Sequence, residues 1–189
     1  MWAVIGRWGV GLVALAAACA GGCGKDCTPT SAGLDGPAGT DVTVSVVTYT
    51  GLEAAVEKPK GKVVLVDFWA TFCGPCVKKF PHFVALYEKY AEKGLVCVSV
   101  SLDDTDDLAK VRDFLVEKKA KFPNFVIRPT TAEEKLMEKK FGYDMTLPQM
   151  ALFNRKGERA WDSNADSLDK DLTAFLDKLD KLVKAELDK

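Results

Sequence analysis

The sequence predicts an α/β fold, a three-layer sandwich with a central mixed β-sheet flanked by helices. Three observations carry this. Val63–Trp69 and Leu95–Ser101 are nearly continuous apolar runs, as in strands covered on both faces. Segments of helical periodicity alternate with the middle strands, so those strands run parallel through right-handed crossovers. Two closing strands meet at Arg155-Lys156-Gly157, a hairpin turn that adds antiparallel strands.

The elements follow in order. Val42–Thr48 alternates and is β-branched, which reads as a strand, and Leu52–Val56 as a short helical turn. After the strand Val63–Trp69, a helix covers Pro75 to Lys93, with Phe80, Phe83, Val84, Tyr87 and Tyr90 or Ala91 at helical spacing. Pro81 removes one of its hydrogen bonds and is expected to kink it. Leu95–Ser101 is the next strand, and Leu108, Val111 and Leu115 mark a helix from Asp106 to Lys119. Asn124–Ile127 is a short strand, and Ala132–Phe141 a helix closed by Gly142. Gln149–Asn154 and Glu158–Trp161 form the hairpin. Leu168, Leu172, Phe175, Leu179 and Leu182 then make one apolar stripe on a last helix.

The amino-terminal residues read as an export signal. One positive side chain, Arg7, precedes the uncharged run Trp8–Ala18, which is too short to span a bilayer. Small residues then crowd Cys19, as in a bacterial lipoprotein signal, and Cys19 is taken as the lipidated residue ahead of Cys23. Residues 1–18 are expected as signal peptide and 19–41 as a lipid-anchored flexible tether. The folded domain is expected over 42–189. Lys25–Asp41 is rich in Gly, Pro, Ser and Thr, and buries too little apolar surface to repay its ordering entropy. Charge excludes one class of partner. With 26 Lys and Arg against 27 Asp and Glu and no basic stripe, nothing indicates nucleic acid.

The chemistry is concentrated in Cys73-Gly74-Pro75-Cys76, which follows the strand and opens the helix. A thiol attacks only as thiolate, and cysteines at helix starts in such motifs fall from about 8.5 to about 3.5–7.5. Unpaired N–H groups and the helix dipole at the first turn favour the charge. Cys73 is therefore the nucleophile, and Cys76, one turn inward, resolves the mixed disulfide. Pro75 suits an early helical position, having no N–H to orphan. A zinc half-site is disfavoured, because there is no second C-x-x-C and His82 is the single histidine. No metal is expected, and no cofactor beyond the Cys73–Cys76 disulfide itself. Asp67, a carboxylate inside an apolar strand, should have a raised pKa and is placed to relay a proton to or from Cys76. Cys97 lies in an apolar run and reads as a small core residue.

Asp67-Phe68-Trp69-Ala70-Thr71-Phe72-Cys73-Gly74-Pro75-Cys76 resembles the active-site segment of thioredoxin. The lipoprotein-like start and Lys78-Lys79-Phe80-Pro81 are similar to the membrane-tethered TlpA/ResA-type thiol–disulfide oxidoreductases. The resemblance implies a thioredoxin-like sandwich over 42–189. It implies that Pro148, in Thr146-Leu147-Pro148-Gln149, is a cis-proline facing the dithiol. It further implies that Leu147, Trp69, Gly74 and Pro75 contact substrate. Phe72 departs from the family, which usually has Trp there, and so lacks an indole donor.

The implied activity is disulfide exchange with extracytoplasmic proteins, in the reducing direction, often in the service of cytochrome c maturation. The implied partners are protein thiols and disulfides, an integral membrane electron carrier and, through the lipid anchor, the membrane at the periplasmic face of a bacterial envelope. A different class, a tethered peptide-binding module with an idle disulfide, would use the same groove without turnover. Thiol peroxidases of this fold place Thr three residues before the reactive cysteine, where this chain has Ala70.

Overall fold

The computed structural model describes residues 33–35, 41–163 and 171–189. Cys19, Cys23, Cys27, the export segment and Leu168 lie outside the described residues. In chain order the elements are β1 (Gly33–Asp35), β2 (Thr43–Val47), α1 (Tyr49–Glu57), β3 (Val63–Trp69), α2 (Gly74–Tyr90), β4 (Leu95–Ser101), α3 (Leu108–Glu117), β5 (Asn124–Ile127), α4 (Thr131–Phe141), β6 (Gln149–Phe153), β7 (Arg159–Asp162) and α5 (Leu172–Leu187).

They build one seven-stranded mixed sheet in the order β1-β2-β5-β4-β3-β6-β7. β2, β5, β4 and β3 are parallel, while β1, β6 and β7 run antiparallel to their neighbours. β3 is buried at every position because it lies between β4 and β6 with helices on both faces. Its odd-numbered residues Val63, Leu65 and Trp69 share a core with Phe80 and Phe83 of α2, Val111 and Leu115 of α3, and Phe175, Leu179 and Val183 of α5. Its even-numbered residues Val64, Val66 and Phe68 pack with Leu52 of α1 and with Met137 and Phe141 of α4. The period-two alternation of a strand thus sorts one segment between two cores.

Several expectations need correction. Gly33–Asp35 falls in the stretch expected as tether, yet it pairs with Asp35 opposite Thr43, so the sheet begins before residue 42. The outer edge of β2 has free backbone donors and acceptors, and pairing satisfies them. α1 is a full helix from Tyr49, not a turn over Leu52–Val56. On α5 the buried stripe is Phe175, Leu179 and Val183, with Leu182 only half-buried. α2 continues through Pro81 without a break. α4 carries a capping box, in which Thr130 accepts from the Glu133 N–H while Glu133 accepts from the Thr130 N–H.

Candidate active site

The site lies where β3 ends and α2 begins. Cys73 is the N-cap of α2 in extended backbone conformation, and its sulfur accepts the Cys76 N–H at 3.3 Å. Cys73 and Cys76 are joined as a disulfide. The two sulfurs are unequal in access: Cys73 is 9% exposed and Cys76 fully buried, with Gly74 and Pro75 exposed between them. Pro75 sits in the first helical turn, as its missing donor favours.

The loop ahead of Cys73 is held by a buried carboxylate. Asp103 accepts from the Thr71 N–H at 2.9 Å, from the Thr71 hydroxyl, and from the Ser101 hydroxyl at 2.7 Å. Parallel register explains this meeting. β3 and β4 pair Trp69 with Ser101, so two residues further on Thr71 meets Asp103. Nothing local in the sequence marks Asp103.

Antiparallel register brings in the other wall. Phe68 pairs with Gln149, so Pro148, one residue earlier, comes alongside Trp69 at the end of β3. The Leu147–Pro148 peptide is cis. Leu147 and Phe72 line one groove of about 450 Å³ with Leu102, Tyr143, Met145 and Arg128. Phe72 is 72% exposed and Met145 43%, so an apolar rim stands beside the dithiol.

Trp69 does not belong to that rim, contrary to the expectation that it contacts substrate. It is fully buried, 4.9 Å from Phe80 and 4.8 Å from Phe114 between ring centroids. As an odd-numbered β3 residue it must face the helix layer, where it supports α2 from behind. Phe72, which follows the strand, is the aromatic that meets solvent. His82 is exposed on α2.

Asp67 is fully buried, as its apolar strand implied, and its partner there is Lys79 of α2, itself fully buried. The second Asp67 oxygen, Oδ2, has no hydrogen-bond partner among the described residues. Burial pushes the Asp67 carboxyl up and the Lys79 ammonium down, and their attraction opposes both shifts. Lys79 was missed as a site residue, although a signal existed. It lies three residues after Cys76, on the stripe that also carries Phe80 and Phe83. Cys97 is a buried free thiol, pushed up by burial and by the Asp67 charge.

A cysteine-capped helix after the central strand, with a cis-proline loop on the neighbouring antiparallel strand, defines a thioredoxin-like protein. A solved structure of a thioredoxin family thiol:disulfide interchange protein from Chlorobium tepidum TLS shares the fold, with TM-score 0.55 and 20% identity over 69% of this chain and 83% of that one. The chain belongs to the Redoxin family, whose pattern matches residues 37–179. Thiol-disulfide oxidoreductase ResA of Bacillus thuringiensis subsp. konkukian is 37% identical over 78 residues, which are 41% of this chain and 44% of that one. The chain thus matches under half the length of that relative. Thioredoxin of Coprinus comatus is 38% identical over 86 residues, 42% of this chain and 81% of that one.

Proposed function

We propose that the protein is a thiol–disulfide oxidoreductase that reduces disulfides in extracytoplasmic proteins. The observation that carries this is the unequal pair at the start of α2, with Cys73 the more accessible sulfur at 9% exposure and Cys76 fully buried behind it. Reduced Cys73, favoured as thiolate by the helix start, attacks a substrate disulfide; Cys76 then attacks Cys73 and releases the reduced substrate. Asp67 accepts the Cys76 proton in that second step. The substrate strand lies along Leu147 and Pro148, with apolar side chains against Phe72 and Met145.

The Gly-Pro dipeptide matches thioredoxin, whose potential is about −270 mV, and supports the reducing direction. A reductant outside the cytoplasm must be recharged, and an integral membrane electron carrier fills that need. The reading includes a lipid anchor at Cys19 on the periplasmic face of the envelope, supported by the signal-like start. Apocytochrome cysteine pairs are its first candidate substrates, by the family resemblance alone.

The reduction potential of the Cys73–Cys76 couple tests this. A value near about −250 mV or lower is expected. A value near about −120 mV, that of strong oxidants, would reverse the direction. A pair that does not titrate as one two-electron couple would favour the peptide-binding module.

A further inference from the structure

We infer that the α1–α4 side of the domain, where it meets the β6–β7 turn, is a docking surface for a bilayer rich in anionic phospholipid. The inference depends neither on the exchange chemistry nor on the anchor proposed at Cys19.

Two open grooves meet at Gly157, in the turn between β6 and β7. One, of about 340 Å³, is lined by Lys60, Lys62, Arg155 and Lys156, with Glu57 as its single acid. The other, of about 640 Å³, is lined by Lys139, Lys140 and Arg159, with Glu53 as its single acid. Both acids are already engaged. Glu57 pairs with Lys140 at 2.5 Å, and Glu53 accepts from the Tyr49 hydroxyl at 2.8 Å. Lys60, Lys62, Lys139 and Lys156 are exposed and have no carboxylate partner among the described residues. Register explains the gathering. β3 pairs Val64 with Phe153 of β6, so the residues just before β3 meet the turn just after β6. The cations come from separate elements, which is why no basic stripe shows along the chain.

An apolar residue stands among them. Leu136 is 45% exposed at the larger groove, three and four residues ahead of Lys139 and Lys140, so the three share one face of α4. Basic side chains beside an exposed aliphatic one fit a membrane interface, with the ammoniums at the headgroups and the leucine at the acyl boundary.

The kind of charge selects this partner over an acidic protein. Protein interfaces favour arginine and exclude lysine, because the planar guanidinium holds a carboxylate through two parallel bonds. Here the guanidiniums are committed. Arg155 donates to the Gly61 and Leu187 carbonyls, each at 2.9 Å, and Arg159 pairs with Asp162 at 3.4 Å. The free charges are ammoniums on flexible stems. These suit a fluid layer of phosphate headgroups, where each is worth about a fivefold gain in affinity. Docking also leaves the dithiol free. Lys62 directly precedes β3, and Cys73 follows the far end of that seven-residue strand, about 23 Å away.

Flotation with vesicles tests this. The full-length chain carries Cys19→Ser and Cys23→Ser, so that no lipid is attached. It is expected to bind vesicles of phosphatidylcholine with about one third phosphatidylglycerol at least about tenfold more tightly than phosphatidylcholine alone. The preference is expected to vanish at about 1 M salt, where the screening length is about 3 Å. Lys60→Glu, Lys62→Glu and Lys139→Glu together are expected to weaken binding to the anionic vesicles at least about tenfold. The same charge change elsewhere, Lys110→Glu, Lys121→Glu and Lys181→Glu, is expected to weaken it less than about twofold. Equal effects of the two triple variants overturn the inference, leaving only general attraction. Equal binding to both kinds of vesicle overturns it too, assigning the binding to the amino-terminal apolar run. A chain that ignores anionic vesicles but binds polyglutamate gives the surface to an acidic protein and likewise overturns it. A second measurement alters no charge. With Cys27→Ser added and the Cys73–Cys76 pair oxidised, an environment-sensitive dye on Leu136→Cys is expected to shift to shorter-wavelength emission on anionic vesicles. The same dye on Ala109→Cys of α3 is expected not to shift, and unmoved emission at position 136 overturns the inference. The reduction potential of the Cys73–Cys76 couple is expected to be the same in the lysine variants, so the exchange reading and this inference fail separately.

Discussion

Alkylation of the reduced protein should label Cys73 at least about tenfold faster than Cys76, because thiolate character and access both favour the N-cap sulfur. Mass mapping after brief iodoacetamide treatment reads this directly. Equal labelling would refute the assignment of nucleophile. Cys97, buried among apolar residues, should remain unmodified in the folded protein. Asp103 makes a separate prediction. Its carboxylate accepts two hydrogen bonds from Thr71 and one from Ser101, so Asp103→Ala leaves buried donors unmatched. The expected loss is about 2–3 kcal/mol in denaturant unfolding. Asp67 and the cysteines were legible in the sequence because polar residues in an apolar run announce themselves. Trp69 was misassigned because proximity to the motif concealed the strand alternation, which turns its ring inward while Phe72 faces solvent. Asp103 was invisible for another reason: its role depends on the register between two strands more than thirty residues apart.

Helix ends decide much at the next scale. Gly142 closes α4 at φ +70°, and an added Cβ would stand 2.6 Å from the Asp162 carboxylate and 2.7 Å from the Arg159 guanidinium. Gly61 has a similar φ of +74° with nothing within 4 Å. Gly61→Ala therefore measures backbone strain alone, about 1 kcal/mol. Gly142→Ala adds disruption of the Arg159–Asp162 pair and should cost about 1 kcal/mol more. Equal melting temperatures for the two variants would show that the pair yields without cost. Strand and helix existence followed from periodicity, so β3, β4, α2 and α4 were legible nearly to their ends. α1 was underestimated because its buried residues Tyr49, Leu52 and Val56 form a narrow stripe in an otherwise mixed segment. β1 has three residues and no pattern; pairing with β2 makes it a strand.

For the whole molecule, the Asp67–Lys79 pair shapes stability against pH. The folded Asp67 carboxyl lies above its ordinary 3.8, chiefly through burial, so the folded state holds that proton more tightly. Its stabilising contribution is complete below pH 3.8 and is lost as pH rises through the folded value. Lys79 lies below its ordinary 10.5, again through burial, so its contribution is complete above pH 10.5 and is lost as pH falls through the folded value. Between these windows the fold carries a buried charge pair at a cost. Asp67→Asn combined with Lys79→Met should flatten this profile and leave neutral-pH stability unchanged or raised, by up to about 4 kcal/mol. Denaturant unfolding at acid, neutral and alkaline pH checks it, and a double variant less stable than wild type at neutral pH would contradict it.

The early pairing of β1 also sets how far the dithiol can travel. With the anchor proposed at Cys19, a chain committed to the sheet from Gly33 leaves about fourteen residues between anchor and sheet, a length that cannot exceed roughly 50 Å. Had the sheet begun at Thr43, the same estimate would be roughly 85 Å. If Cys19 is the anchor, the shorter reach leaves disulfides that stand high above the bilayer out of range, and Cys73 serves those that come down close to the lipid.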